Sequence, residues 1–301
     1  MTKIKQVAIQ GGAGSNHEIA AKAFFNTDNL EMVPCQTFEE LFATLKEDDS
    51  KYGIMAIENT LVGSILQNYT LLKDSGLVII GEYKLRIKHQ LLTLPGQSIE
   101  DIKEVHSHPM ALAQCREFFK AYPRIKLIAS DDTALSAKWI QDNQLTGVAA
   151  IAPELAAEKY QLEIMARDIE TNKRNFTRFL IISDKGKTEV EDLLINDKVN
   201  KSSLVFALPH SEGSLSKVLS ILAFYNINLS KIQSLPIVGH EWEYLFFIDL
   251  VFEDYNRYLQ SIEAIRPLTK GLKNLGEYHV GRRSYDTTSN DNKPLSEQKT
   301  F

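Results

Sequence analysis

The run Asn175-Phe176-Thr177-Arg178-Phe179-Leu180-Ile181-Ile182 sets a hydroxyl beside a guanidinium at the head of an apolar stretch. Its apolar half reads as a buried strand, closing an alternation of strand and helix patterns that begins at Val7. A buried strand gains nothing from Thr-Arg at its start. Two readings stay open: Thr177 and Arg178 hold a ligand, or they form the polar start of an edge strand in solvent. On a regular strand the two side chains point to opposite faces, so both reach one ligand only where the chain is irregular.

Upstream, strand-like runs at Val7-Ala8-Ile9, Leu30 to Pro34, Ile54 to Ile57, Val78 to Ile80, Ile102 to Val105, Leu127-Ile128 and Val148 to Ile151 alternate with helical patterns. This βαβα order predicts an α/β fold of open, mostly parallel sheets covered by helices, with ligands beyond the carboxyl ends of the strands. Tyr83, Leu85, Ile87 and His89 alternate with Lys84, Arg86 and Lys88, which reads as a half-exposed strand crossing between two lobes. Residues 184–200 shift to a charged composition and read as a linker or edge segment. From Ser203 to Gly281 the pattern is βαββαβ, the ferredoxin-like order, with its last strand expected at Gly276 to Gly281. The expected division is therefore 1–183, a linker at 184–200, a second module at 201–283 and a disordered tail at 284–301.

The 301 residues carry a net charge of −5, which argues against an electrostatic nucleic-acid binder. Cys35 and Cys115 lie far apart without CxxC spacing and suit a reducing cytoplasm. No signal peptide is visible, and no apolar run approaches the roughly 20 residues that span a membrane.

Four strand-to-helix junctions carry small or polar residues. Gly11-Gly12-Ala13-Gly14-Ser15 reads either as a tight turn or as a loop whose N–H groups approach an anion. Gly12-Ala13-Gly14 with Glu31 also begins a dinucleotide fingerprint, but His17 stands where the third glycine belongs. Glu58-Asn59-Thr60, with Gly63-Ser64, offers an uncharged donor and acceptor, or merely a helix cap. In His106-Ser107-His108-Pro109, Ser107 or His108 caps a helix along which Gln114 lies at the margin of the apolar face. His106-x-His108 lacks a third metal ligand. Ser130-Asp131-Asp132-Thr133 is an N-cap signal that also presents Thr133. Arg178 would bind a carboxylate two-point fashion. No Ser-His-Asp order, Walker loop or HExxH motif is present. The residues alone thus describe an α/β protein with a cleft for a small anion, joined to a ferredoxin-like module.

Taken together, these motifs resemble the prephenate dehydratase family. Asn175-Phe176-Thr177-Arg178-Phe179, Ile57-Glu58-Asn59-Thr60 with Gly63-Ser64, Ser107-His108-Pro109 with Ala113-Gln114-Cys115, Thr133-Ala134 and Ala149-Ala150-Ile151 occur in the family's order. Gly213-Ser214-Leu215-Ser216, Ile227-Asn228-Leu229 and Trp242-Glu243-Tyr244 with Phe247 and Asp249 resemble the ACT regulatory domain that accompanies these enzymes. Gln233-Ser234-Leu235-Pro236 departs from that domain's usual Glu-Ser-Arg-Pro. The resemblance implies a two-lobed catalytic domain, similar to periplasmic binding proteins, with a cleft between its lobes. It implies conversion of prephenate to phenylpyruvate, water and carbon dioxide without metal or organic cofactor. Thr177 would be the oriented donor to the leaving hydroxyl, with Asn59 and Gln114 as catalytic partners. Ser15, Glu58, Ser107, His108, Thr133, Arg178 and Phe179 would contact substrate. Gly213, Ser214, Leu215, Asn228, Leu229 and Ser234 would receive L-phenylalanine as effector. A cytoplasmic homodimer or homotetramer is expected. Rival readings are an arogenate dehydratase, an ACT-coupled anion sensor without chemistry, and a dinucleotide-dependent dehydrogenase.

Overall fold

The computed structural model describes residues 4–49, 51–184 and 199–284. Most of the expected linker, and the expected tail from residue 285 onward, lie outside these residues. The chain opens with β1 (Lys5–Gln10), α1 (Asn16–Phe25), β2 (Leu30–Cys35), α2 (Phe38–Glu47), β3 (Tyr52–Asn59), β4 (Gly63–Ser64), α3 (Leu66–Ser75) and β5 (Val78–Arg86). There follow β6 (Gln90–Thr93), β7 (Glu104–Ser107), α4 (Pro109–Gln114), α5 (Arg116–Phe119), β8 (Lys126–Ala129), α6 (Thr133–Asp142), β9 (Val148–Ala152), α7 (Glu154–Tyr160), β10 (Glu163–Ala166) and β11 (Phe176–Ser183). The last part holds β12 (Lys201–Ala207), α8 (Ser214–Phe224), β13 (Asn228–Pro236), β14 (Tyr244–Val251), α9 (Tyr255–Ile265) and β15 (Lys270–Tyr278).

The strands form three sheets. The first has the order β2-β1-β3-β11-β5, with β4 paired to β3. In it β1 is parallel to β2 and β3, while β11 runs antiparallel to both β3 and β5. The second has the order β10-β6-β9-β7-β8, with β7 parallel to β8 and β9. The third, β13-β14-β12-β15, is antiparallel throughout. The mixed α/β class and the parallel-rich sheets agree with the sequence. Two short strands, β6 and β10, had no signal of their own. β15 begins at Lys270, six residues before the expected start, because Lys-Gly-Leu-Lys-Asn reads as loop although it pairs with β12.

Alternation along β11 builds the interior. Phe179 and Ile181 pack with Val7, Ile9 and Ile54 against α1. Leu180 and Ile182 face the other way, into a cluster with Met55, Ile57 and Leu72 that also contains Val205, Phe247, Leu275 and Tyr278 of the third sheet. The third sheet therefore shares one hydrophobic core with the back of the first, rather than hanging from it. Residues 281–284 extend this contact along β5. Lys84 N donates to the Arg282 carbonyl (3.1 Å), Ser284 N to the Lys84 carbonyl (3.0 Å), and Arg86 N to Ser284 Oγ (2.8 Å). This cover, with β11 on the other side, explains why β5 is mostly buried and not the half-exposed ribbon its alternation implied.

Gly276 and Gly281 mark the tightest points of the contact. A Cβ at Gly276 would lie 2.2 Å from the Ile79 carbonyl oxygen and 2.7 Å from its Cβ. Backbone cannot yield as a flexible side-chain end can, so Gly276→Ala should lower the unfolding free energy by about 1–3 kcal/mol, measured by urea denaturation. An unchanged midpoint would contradict this packing.

Candidate active site

Between the first and second sheets lies a cavity of about 400 Å³. Ser15, Asn59, His108, Gln114, Thr133, Thr177 and Phe179 line it, brought together from five separate stretches of chain. Thr177 and Phe179 reach it together because they are two apart on β11, and residues with that spacing share a face. The pairing of β11 with β3 is irregular here. Arg178 opposes Glu58 and Phe179 opposes Ala56, leaving Ile57 unpaired. That bulge lets Ala56 and Asn59, three residues apart, both line the cavity.

The polarity of the hydrogen bonds can be read from backbone groups outward. Leu61 N and Val62 N both donate to Asn59 Oδ1 (2.9 and 3.1 Å), which fixes the Asn59 amide. Asn59 Nδ2 therefore faces Asn175 Oδ1 (2.8 Å) and Thr177 Oγ1 (3.0 Å) as donor. Asn175 Nδ2 in turn donates to Gln114 Oε1 (2.8 Å). His89 Nε2 lies 2.8 Å from the same oxygen, so it carries a hydrogen. Two consequences follow. The Thr177 oxygen is already an acceptor, which leaves its own hydrogen for a partner in the cavity. With its oxygen turned inward, Gln114 keeps its NH₂ for the same use. Asn175 is fully buried at the hub of this relay, and sequence reasoning, which quoted it only as part of a motif, did not single it out. His17 and His89 were likewise missed as lining residues. The nearest signal for His89 was its alternation with Lys88, and for His17 its place in the broken glycine fingerprint.

Three of the expected contact residues turn away from the cavity. Arg178, one residue past Thr177, points to the back of the sheet. Its Nε donates to Glu82 (2.6 Å), its Nη1 pairs with Asp249, and its Nη2 donates to the Tyr278 hydroxyl (3.0 Å). It is a structural cation between sheets, not a carboxylate clamp, because strand alternation separates it from Thr177. Glu58 follows it, pairing with Lys231 of β13 at 2.9 Å. Ser107 is fully buried and donates to the Ile151 carbonyl (2.7 Å), tying β7 to β9. Among the described residues that line the cavity there is no Lys or Arg.

The glycine-rich loop also serves a different purpose from the one its composition allowed. A Cβ on Gly11 would meet the Asp132 carboxylate at 2.5 Å, and one on Gly14 (φ +83°) would sit 2.8 Å from Ala156 Cα. The Tyr160 hydroxyl donates to the Ala13 carbonyl (2.7 Å), and Lys159 pairs with Glu18 (2.8 Å). The glycines thus let the start of α1 meet α6 and α7 of the second sheet. Ser15 caps α1, His108 caps α4 by accepting from Met110 N, and Thr133 opens α6 behind its cap Asp132. Burial pushes the Asp132 carboxyl up and the buried Cys115 thiol up to about 12, so neither cysteine offers a thiolate. No group of three His, Cys, Asp or Glu that could hold a metal occurs among the described residues.

A family model described as prephenate dehydratase matches residues 7–187. The chain belongs to the prephenate dehydratase family. As a member of it, the chain is an enzyme. A chloroplastic arogenate dehydratase/prephenate dehydratase of Arabidopsis thaliana is 36% identical over 285 residues, covering 91% of this chain and 73% of that protein. The prephenate dehydratase of Arthrobacter aurescens, solved in complex with L-Phe, superposes with a TM-score of 0.79 at 26% identity, covering 92% of this chain and 90% of that one. A protein described as a novel type of quorum-quenching acylase superposes with a TM-score of 0.82 at 27% identity, covering 92% and 98%.

In this member of the family the regulatory candidates fall at the start of α8 and along β13. Gly213, with φ +73°, precedes α8, and Ser214 at its start bonds to Ser211. Leu215 and Leu229 pack on the core of the third sheet, while Asn228 and Ser234 are exposed on the edge strand β13. Nearer the cavity, His17 packs edge-on to Phe179 with ring centroids 5.0 Å apart. Burial alone lowers its pKa from 6.5 to about 4. Between these values the unfolded chain binds a proton that the folded chain refuses, so stability should fall as pH drops from 6.5 toward 4. The contribution is about 3 kcal/mol. In His17→Leu the difference in unfolding free energy between pH 7 and pH 4.5 should shrink by most of that amount; an equal difference in both proteins would refute it.

Proposed function

We propose that the cavity converts prephenate to phenylpyruvate with loss of water and carbon dioxide. The observation that carries this reading is Thr177, whose oxygen accepts from Asn59 Nδ2 and whose hydrogen is left for a ligand. Decarboxylation pushes electrons into the ring as the hydroxyl departs, and the gain of aromaticity drives it. What the protein must supply is orientation and a donor for the departing oxygen. Thr177 is that donor, Gln114 a second, and Asn59 with Asn175 sets their direction. With no Lys or Arg among the described lining residues, the substrate carboxylates are assigned to the hydroxyls of Ser15 and Thr133 and to the N–H groups at the start of α1. Neither metal nor organic cofactor belongs to this reading. Amide hydrolysis, as the name of the acylase neighbour would suggest, lacks an activated nucleophile here: Thr177 has no base beside it, and Cys115 is buried with its thiol pushed up.

One observation favours a second substrate. The carboxylates Asp131 and Asp132 line the cavity, where they would repel a dianion and offer a counter-charge to the ammonium of arogenate. The site's chemistry is otherwise the same for both.

The proposal extends to the whole chain: residues 1–183 catalytic in two lobes like those of periplasmic binding proteins, and 201–283 an ACT-type regulatory module answering to L-phenylalanine. Support comes from its βαββαβ order and from the phenylalanine complex of the Arthrobacter relative. Gly213 and Asn228 flank the two ends of an 11-residue helix, which is roughly 16 Å long at the usual rise. One phenylalanine cannot touch both within one chain, which supports a homo-oligomer whose copies share the effector.

Purified protein should turn over prephenate, arogenate or both, and Thr177→Val should lower kcat about a hundredfold or more with little change in KM. Full turnover by Thr177→Val would sink the assignment, and the ratio of kcat/KM for the two substrates decides between them. Titration with L-phenylalanine, followed by activity and by sedimentation, should show a change in rate in an oligomer; a monomer indifferent to phenylalanine would refute the regulatory reading.

A further inference from the structure

His89 is held unlike the other histidines of the cavity. It is 3% exposed, yet it lines the cavity. Its backbone is fastened on both sides: its N–H donates to Glu170 Oε2 (3.0 Å), and its carbonyl accepts from Ile169 N (2.9 Å). Its Nε2 meets Gln114 Oε1 at 2.8 Å, an oxygen that also accepts from Asn175. Because the relay's direction is set by the backbone N–H groups of Leu61 and Val62, that oxygen cannot be exchanged for the amide nitrogen without breaking the chain of donors. The ring must be the Nε2–H tautomer. Nδ1 is then a bare lone pair, buried and without a protein partner.

A buried acceptor without a donor costs about 1–3 kcal/mol, and the fold carries that cost while the Nε2–H stays on Gln114. We propose that His89 is a positioning residue of the dehydration: its Nε2–H holds the Gln114 amide with its NH₂ toward the cavity, where that NH₂ and the Thr177 hydroxyl are the donors to substrate. This rests on the reading of the cavity as the prephenate site. Burial lowers the His89 pKa, against the Gln114 hydrogen bond and the charge of Glu170, which keeps the ring neutral for this use.

The tests are spectroscopic and kinetic. In the ¹⁵N spectrum of wild-type protein labelled at histidine, His89 should show a protonated Nε2 and a bare Nδ1 at neutral pH; the opposite tautomer overturns the proposal whatever the kinetics. His89→Phe keeps ring volume and removes both nitrogens. Its kcat should fall about 30-fold or more while KM changes less than about threefold. The double variant His89→Phe with Gln114→Leu should be little slower than the slower single variant, since both remove one unit. Should His89→Phe fold poorly, His89→Asn is measured in its place with the same expectation. A folded variant within twofold of wild-type kcat, or losses that multiply in the double variant, would refute the role. Wild-type protein that turns over neither prephenate nor arogenate, with the Nε2–H tautomer in place, would instead overturn the reading of the site beneath it.

Discussion

The guanidinium of Arg178 is the interaction on which the arrangement of the three sheets depends. It lies almost wholly buried between Glu82 of the first sheet and Asp249 of the third, with Lys201 completing a balanced set of two cations and two anions. Ser203 donates to Asp249 (2.5 Å), and Gly281 N donates to Glu82 (3.1 Å), so the remaining lone pairs also find partners. Burial works to raise the Glu82 pKa, but Arg178 and then Lys201 hold it well below the ordinary carboxylate range. For Arg178, Asp249 and Glu82 outweigh burial and raise the pKa further. A buried set of this kind gives little net stability when intact, but losing one member costs about 3–5 kcal/mol. It therefore specifies how the third sheet seats itself more than how tightly.

Because Arg178 is committed to the back of β11, alternation commits Thr177 to the front. The two roles are one structural decision. The cation that locks the third sheet in place and the hydroxyl that faces the cavity are adjacent residues on one strand, so a shift in how β14 presents Asp249 is felt one residue from Thr177. The shared apolar cluster of Leu180 and Ile182 with Val205, Phe247 and Leu275 makes the same join in hydrophobic terms.

Inside the cavity the controlling groups are amides. Asn59, Asn175 and Gln114 each have one donor end and one acceptor end, so fixing the first by backbone N–H groups fixes the rest in series. Carboxylates in those places could only accept, and ammonium groups could only donate; neither would transmit a direction. The same logic accounts for the neutral histidines, whose burial removes the charge and leaves tautomer as the variable that matters.

Strand and helix order, the βαββαβ module, and the candidacy of Thr177, Asn59 and Gln114 were legible in the sequence, since each rests on local periodicity or on a short motif. Alternation even announced that Thr177 and Arg178 would part company. What the chain could not disclose alone was where Arg178 would go, because its partners Glu82 and Asp249 lie 96 and 71 residues away. Nor could it show that the glycines of 11–14 make room for α6 and α7, or that Ser107 ties two strands together. Asn175 and His89 escaped notice for the same reason: a buried amide and a buried imidazole look like any polar residue until their neighbours are known. Short-range periodicity is written into the chain, but the pairing of a donor with its acceptor across the fold is a property of three-dimensional packing, and packing alone decided which polar residues face the cavity.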